Sequence, residues 1–261
     1  MTDNLYHQEA ETIARRTGEL LMNLFLEGDI EETLKEDQTL VTIADHRADR
    51  LIRETLSERF PEHGLLTEET CTAYPSDSEL VWVIDPLDGT TNFSQGLHHW
   101  GTSLALLDKG QPAAAALYFP LVDEMYTAAR NQGAWFNGRR LDPGDTAATR
   151  DYSFFLHCSR THQRFQVSVP FKTRSLGSAA YHLCAVAKGT GAAALETTVH
   201  LWDLAGAWLV LKETGKEVET YREKPPFPAE AGIDYNEIIY TVTAADSGRR
   251  LDQIKHWLDP K

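Results

Sequence analysis

The hydrophobic period of the chain changes after Pro61, and that change limits the folds open to it. Before the proline, apolar residues recur at helical spacing: Ile13, Ala14, Leu20, Leu21, Leu24 and Phe25 within residues 5 to 26, then Ala44, Ala48, Leu51, Ile52 and Leu56 within residues 43 to 60. Pro61 closes the second pattern. After it come short apolar runs, G-L-L-T at 64 to 67 and V-W-V-I at 81 to 84, and then segments at 101 to 107, 113 to 119 and 124 to 129. Gly110-Gln-Pro112 and the corner from Pro120 to Asp123 separate the last three, which read as an antiparallel meander. Asn131-Gln-Gly133 and Asn137-Gly138 read as further turns. Two helices ahead of a sheet predict a layered α+β architecture.

Composition turns turn-rich at Leu141-Asp-Pro-Gly-Asp145, where a subdomain boundary is expected: residues 1 to 143 as an N-terminal α+β unit, residues 144 to 261 as a C-terminal α/β unit. The second half predicts a strand at 152 to 157, a helix at 178 to 188, an apolar stretch at 191 to 195, and a helix at 202 to 213. A strand at 238 to 243 and a last helix at 246 to 258 complete it. K-P-P-F-P at 224 to 228 reads as an exposed extended loop.

A net charge of -14 argues against nucleic acid or an anionic membrane surface as the main partner, because both select basic patches. No apolar run approaches the ~20 residues that span a bilayer, and the first ten residues lack a signal peptide's basic start, so a cytoplasmic location is expected. Cys71, Cys158 and Cys184 are widely separated and read as buried or incidental thiols, neither a disulfide framework nor a zinc cluster.

The segment with most chemistry is W-V-I-D-P-L-D-G-T-T-N-F at 82 to 93. A strand would deliver Asp85 to its end, Pro86 would leave the ladder, and Gly89 would let the chain turn into a helix-like start at Thr90. Two carboxylates and the Leu87 carbonyl are hard oxygen donors of the kind Mg²⁺ selects, and amides at a helix start favour phosphate. The same residue types also make an ordinary capped turn, so this segment alone leaves both readings open. Further acids fall at element ends: Asp45 opens the second helix, Glu68-Glu69 follow G-L-L-T, and Asp203 opens W-D-L-A-G-A-W-L-V-L. Singly, Asp45 and Asp203 read as first-turn acids and the Glu pair as a solvated loop.

Taken together, D-P-L-D-G-T-T-N-F at 85 to 93, T-E-E at 67 to 69 and W-D-L-A-G at 202 to 206 resemble, over nearly the whole chain, the inositol monophosphatase family of Mg²⁺-dependent, lithium-sensitive sugar phosphatases. The resemblance implies a layered αβαβα sandwich of the inositol monophosphatase and fructose-1,6-bisphosphatase type and a homodimer. It implies that Glu68, Asp85 and the Leu87 carbonyl hold one Mg²⁺, that Asp85, Asp88 and Asp203 hold a second, and that a weaker third lies near Glu68, making two to three per site. Glu68 and Thr90 would attend the attacking water, Asp45 would support Thr90, and the Gly89 and Thr90 amides would hold phosphate. Gly177, Ser178 and Ala179 in R-S-L-G-S-A-A, with Glu196, Asp88 and Asp203, would meet the substrate. Lys35 resembles a family lysine near the third metal. His98 and His99 could reach a substrate but read as structural or solvated.

Two departures stand out: Thr67 where the family has glycine, and Lys216 in the second place of a glycine pair, which bears on the local strand geometry. The chain lacks an NTPase phosphate loop, an H-E-x-x-H pair and a G-x-S-x-G elbow. The expectation is therefore a phosphatase for a small phosphomonoester, inositol monophosphate first, acting through metal-activated water. Histidinol phosphate and fructose 1,6-bisphosphate are alternatives on the same metal site. A 3'-phosphoadenosine 5'-phosphate phosphatase, disfavoured by D-G-T-T-N-F, and a non-catalytic relative come after them.

Overall fold

The computed structural model describes residues 3–28, 32–34, 40–142 and 153–261. Helix α1 (Asp3–Glu27) leads to a two-stranded ribbon, β1 (Glu32–Leu34) and β2 (Leu40–Thr42), and to α2 (Ile43–Arg59). Asp45 starts α2 as half of a capping box, accepting the Thr42 backbone N–H while the Thr42 hydroxyl accepts the Ala44 N–H. Seven strands follow: β3 (Gly64–Thr67), β4 (Leu80–Asp88), β5 (Gly101–Asp108), β6 (Gln111–Phe119), β7 (Glu124–Ala129), β8 (Gly133–Phe136) and β9 (Arg139–Arg140). They lie in that spatial order, β3 parallel to β4 and the rest antiparallel. A five-residue helix, α3 (Thr90–Ser94), sits between β4 and β5.

The second half runs β10 (Phe154–His157), α4 (Thr161–Arg164), β11 (Phe165–Val167), β12 (Lys172–Arg174), α5 (Ala179–Ala187), β13 (Gly191–Val199), α6 (Leu201–Glu213) and β14 (Glu217–Thr220). It ends with β15 (Tyr240–Ala245), α7 (Gly248–Trp257) and β16 (Leu258–Pro260). The second sheet has the order β12-β10-β13-β15-β14, with β10 parallel to β12 and β13 and with β15 antiparallel to β13 and β14.

Alternation along the strands sorts these elements into five layers. Trp82, Ile84, Leu104 and Leu106 on one face of the first sheet pack with Ile13, Ile52 and Leu56 of α1 and α2. Val81, Val83, Ala105 and Leu107 on its other face share a core with Leu183 and Val186 of α5 and Leu204 and Leu211 of α6. That core also takes Leu156, Ala194, Val242 and Ala244 from the second sheet. On the sheet's far side, Phe155, Ala193, Leu195 and Ala245 meet Leu251 and Ile254 of α7. The result is the expected αβαβα sandwich. Since β4 is covered on both faces, its sequence is a continuous apolar run rather than an alternating one.

Several local readings need correction. Asn131-Gln-Gly133 and Asn137-Gly138 do turn, with Asn131, Gly133 and Asn137 at positive φ, but they bracket a strand, β8. Pro112 lies inside β6, at a register shift beside Leu107. The stretch at 191 to 195 is the start of a nine-residue strand. K-P-P-F-P is only partly exposed: Pro226 is buried, and the Phe227 ring lies 5.5 Å from Trp208. Lys216 leaves the strand intact, because Gly215 alone takes the positive φ while Lys216, buried, donates its N–H to Leu211 O at 2.9 Å before β14 starts. Lys35 and the boundary expected at 143/144 lie outside the described residues.

Ile52 is fully buried between α2 and the first sheet. Ile52→Ala should cost about 2–5 kcal/mol in denaturant unfolding with an unchanged denaturant slope, since it opens a cavity in a layer the turn of β4 rests on.

Candidate functional site

The two acids of the first motif come together because β4 carries one extra residue. Asp85 pairs with Ser103 and Asp88 with Gly101, so three steps on β4 oppose two on β5, which is a β-bulge. On a regular strand, residues three apart point to opposite faces. The bulge removes that parity, and Asp85, Asp88 and Asp203 each offer an oxygen within 4.8 Å of the others. Hydrogen bonds knit the turn: Leu87 N–H to Asp85 Oδ1 at 3.0 Å and Thr102 Oγ1 to Pro86 O at 3.0 Å, while the Thr90 hydroxyl has Leu87 O at 3.1 Å as the longer of two acceptors for its one proton. Gly89 then needs both its φ of +88° and its missing side chain, for a Cβ there would lie 2.8 Å from His99 O.

Asp203 arrives from the opposite half, at the first turn of α6, where its Oδ2 accepts His200 N–H at 2.7 Å. Asp45 stands behind the turn: Oδ2 accepts from Thr42 N and Oγ1 at 2.7 and 2.6 Å, and Oδ1 accepts the Thr90 hydroxyl at 2.9 Å. Glu68, half-buried, follows β3 and donates its N–H to Ile84 O at 3.2 Å. Glu69 turns away towards His46, 3.8 Å distant.

Burial is the largest force on these acids. It raises Asp85 well above the usual carboxylate range, and the charges of Glu68, Asp88 and Asp203 raise it further. Asp203 is raised by burial and then by Asp88 and Glu68. Burial lifts Asp88 to about 6 against the hydrogen bonds from Ser178 and Ala180, and lifts Asp45 to about 6 against those from Thr42. Buried carboxylates this close, with a backbone carbonyl beside them, are a hard oxygen donor set that fits a small divalent cation.

The acids open on a cavity of about 480 Å³, the size of a small-molecule site. Glu68, Asp88, Gly89, Thr90 and Asp203 line one part of it, and Gly177, Ser178, Ala179 and Glu196 another. Asp85 and Leu87, 1% exposed, sit beneath. Asp45 reaches the cavity only through Thr90. Ser178 does more than border the cavity: it caps α5 and donates its hydroxyl to Asp88 Oδ2, which also accepts Ala180 N–H at 3.1 Å. His98 is exposed, and His99 packs against the Tyr181 ring at 4.6 Å; neither lines the cavity.

Sequence reasoning missed His182, Arg160 and the Trp202 indole, stacked on His200 with centroids 4.8 Å apart, all of which line the cavity. Arg160 comes from the loop after β10, which no local pattern places near the acids. His182 sits in a helical run, Y-H-L-C-A-V-A, that reads as core.

The model of the Inositol monophosphatase family matches residues 3–251. The chain belongs to the inositol monophosphatase family. Among relatives, it is 34% identical over 215 residues to the Nus factor SuhB of Pasteurella multocida, covering 77% of this chain and 80% of that one. It is 35% identical over 197 residues to the inositol-1-monophosphatase of Rhizobium meliloti, covering 72% and 74%. A crystal structure of the extragenic suppressor protein suhB from Bartonella henselae superposes with a TM-score of 0.78 at 27% identity, covering 94% and 95%. As an inositol monophosphatase family member, the protein has the fold its motifs implied.

The raised acids make stability depend on pH. Asp45 and Asp88, at about 6 when folded against 3.8 unfolded, hold protons the unfolded chain releases. Their contribution is therefore complete below 3.8 and lost as pH rises through about 6. Thermal melts in chelator should show a midpoint falling across this window.

Proposed function

We propose that this family member is a Mg²⁺-dependent phosphatase that hydrolyses a small phosphomonoester, with inositol monophosphate the leading substrate. The observation that carries this reading is the meeting of Asp85, Asp88 and Asp203 within 4.8 Å beside a cavity that also presents Glu68, Thr90 and Glu196. Glu68, Asp85, the Leu87 carbonyl, Asp88 and Asp203 would hold two Mg²⁺ ions, with a third near Glu68. Bound there, they supply the positive charge that screens phosphate and lowers the pKa of water.

The chain's own groups do the rest. Thr42 fixes Asp45, Asp45 draws the Thr90 hydroxyl proton, and the Thr90 oxygen is left to accept from the attacking water beside Glu68. The Gly89 and Thr90 amides receive phosphate. Gly177 and Ala179 border the alcohol, and Glu196 accepts one of its hydroxyls. On this reading residues 1–143 supply most metal ligands, while residues 144–261 supply Asp203 and the substrate contacts. Family membership further supports a homodimer, Li⁺ sensitivity and a cytoplasmic location.

Histidinol phosphate and fructose 1,6-bisphosphate require the same acids, and only a panel separates them. A second reading comes from the relatives named Nus factor: a Nus-factor role, with or without catalysis. The net charge of -14 disfavours direct contact with nucleic acid in that role.

Phosphate release from inositol 1-phosphate, histidinol phosphate, fructose 1,6-bisphosphate and the adenosine bisphosphate, each with Mg²⁺ and with chelator, tests the proposal. Mg²⁺-dependent release with inositol 1-phosphate fastest is expected; no release from any of them rejects the enzyme reading. Asp88→Asn should remove most turnover yet melt no lower than wild type without metal, because it relieves repulsion. Ser178→Ala, which frees Asp88 from its clamp, should raise the Mg²⁺ concentration for half-activity roughly 10-fold or more.

A further inference from the structure

His182 and Glu196 are each 1% exposed, and His182 Nδ1 lies 2.7 Å from Glu196 Oε1. The other ring nitrogen fixes the tautomer. Nε2 lies 2.8 Å from the Leu176 amide, which can only donate, so Nε2 carries no proton and the single imidazole proton sits on Nδ1, facing Glu196. Burial acts the same way, holding His182 down at about 4 and therefore neutral.

The histidine is in turn fixed from the first half of the chain. Leu176 O accepts from Asn92 Nδ2 at 2.6 Å, and Asn92 follows directly on the turn of β4 and α3. Asn92 also donates to His99 O at 2.6 Å, and a Cβ on Gly177 would lie 2.4 Å from its Oδ1, so the packing leaves it no other place. A continuous chain of hydrogen bonds thus joins Asn92, Leu176, His182 and Glu196. It ends on an atom without a partner: Glu196 Oε2 is buried and accepts no hydrogen bond, although Glu196 lines the cavity. Burial, and then the charge of Asp88, push Glu196 well above the usual carboxylate range, and a buried carboxyl oxygen left without a partner is costly unless a ligand completes it.

We propose that His182 is a positioning residue whose Nδ1–H holds Glu196 with Oε2 kept for a substrate hydroxyl, so that selection of a polyol phosphate over a phosphate ester without hydroxyls depends on this histidine. The proposal rests on the phosphatase reading above and adds to it the residue that sets Glu196.

The test compares inositol 1-phosphate with 4-nitrophenyl phosphate, both with Mg²⁺, in wild type and three variants. His182→Ala should lower the ratio of kcat/KM for inositol 1-phosphate to that for 4-nitrophenyl phosphate about tenfold, through KM for the inositol ester. His182→Asn, whose amide nitrogen takes the place of Nδ1, should restore most of the ratio, whereas His182→Gln, which reaches only the place of Nε2, should not. A merely structural histidine would lower both activities together and leave the ratio unmoved, which overturns the proposal; equal behaviour of Asn and Gln does so too. Independently of activity, imidazole ¹⁵N spectra of the full chain should show His182 protonated on Nδ1 alone at pH 7; an Nε2-H tautomer or an imidazolium overturns the assignment. If wild type cleaves 4-nitrophenyl phosphate with Mg²⁺ but shows no preference for the inositol ester, the phosphatase reading stands and this proposal falls. If it cleaves neither, both fall.

Discussion

Repulsion among buried carboxylates is the constraint on which the rest of this structure turns. Two unit charges 4 Å apart interact by about 4 kcal/mol at an effective dielectric of about 20, and three aspartates here have oxygens within 4.8 Å. The favourable local contributions are smaller. A first-turn acid such as Asp203 gains about 0.3–1 kcal/mol from its helix, and the hydrogen bonds to Asp88 and Asp203 serve mainly to hold them. The acids stay together because each is bound into an element that cannot yield: a bulged strand covered on both faces, and a helix buried between two sheets. The fold makes the cluster, and on the phosphatase reading a bound cation would offset its repulsion.

This origin explains what could be read from the sequence and what could not. The periods of α1 and α2, the strand runs and the order of layers follow from apolar spacing, which burial enforces directly. The acidic positions were legible as residues at element ends, and the motif resemblance joined them into one site. The bulge was not legible, for D-P-L-D shows no sign that Asp85 and Asp88 end on the same side; that depends on the register with Ser103 and Gly101. β8 was hidden because the turns on either side of it dominate its sequence. His182 was hidden for the opposite reason: within an apolar helix a histidine looks like filling, and its meaning lies in partners at Leu176 and Glu196, neither within one helical turn.

The site is shared between the two sheets, and that sharing is what α5 and α6 accomplish. α6 brings Asp203 across to the bulge, and the start of α5 brings Ser178 and Ala180 to Asp88. Asn92, in the return direction, reaches from α3 to Leu176. The separation between acid cluster and substrate wall is therefore set by the middle layer, whose core takes side chains from both sheets. A change in that layer alters the site without touching it.

An acidic chain with acids in its cavity is an unlikely host for phosphate until the charge is reversed locally. At a net charge of -14, long-range attraction contributes nothing towards an anion, so the capture of a phosphomonoester has to come from short-range charge inside the cavity. On the phosphatase reading, cation and substrate are then mutually dependent: the acids hold the cation, the cation admits the phosphate, and the phosphate adds further oxygen ligands. Glu196 stands apart from this exchange. It lines the same cavity and feels the charge of Asp88, but its Oε1 is taken by a neutral histidine, so on that reading its other oxygen is left for an alcohol. On that reading, giving cations to one set of acids and hydroxyls to another would let one metal site serve many esters, with selectivity carried by Glu196.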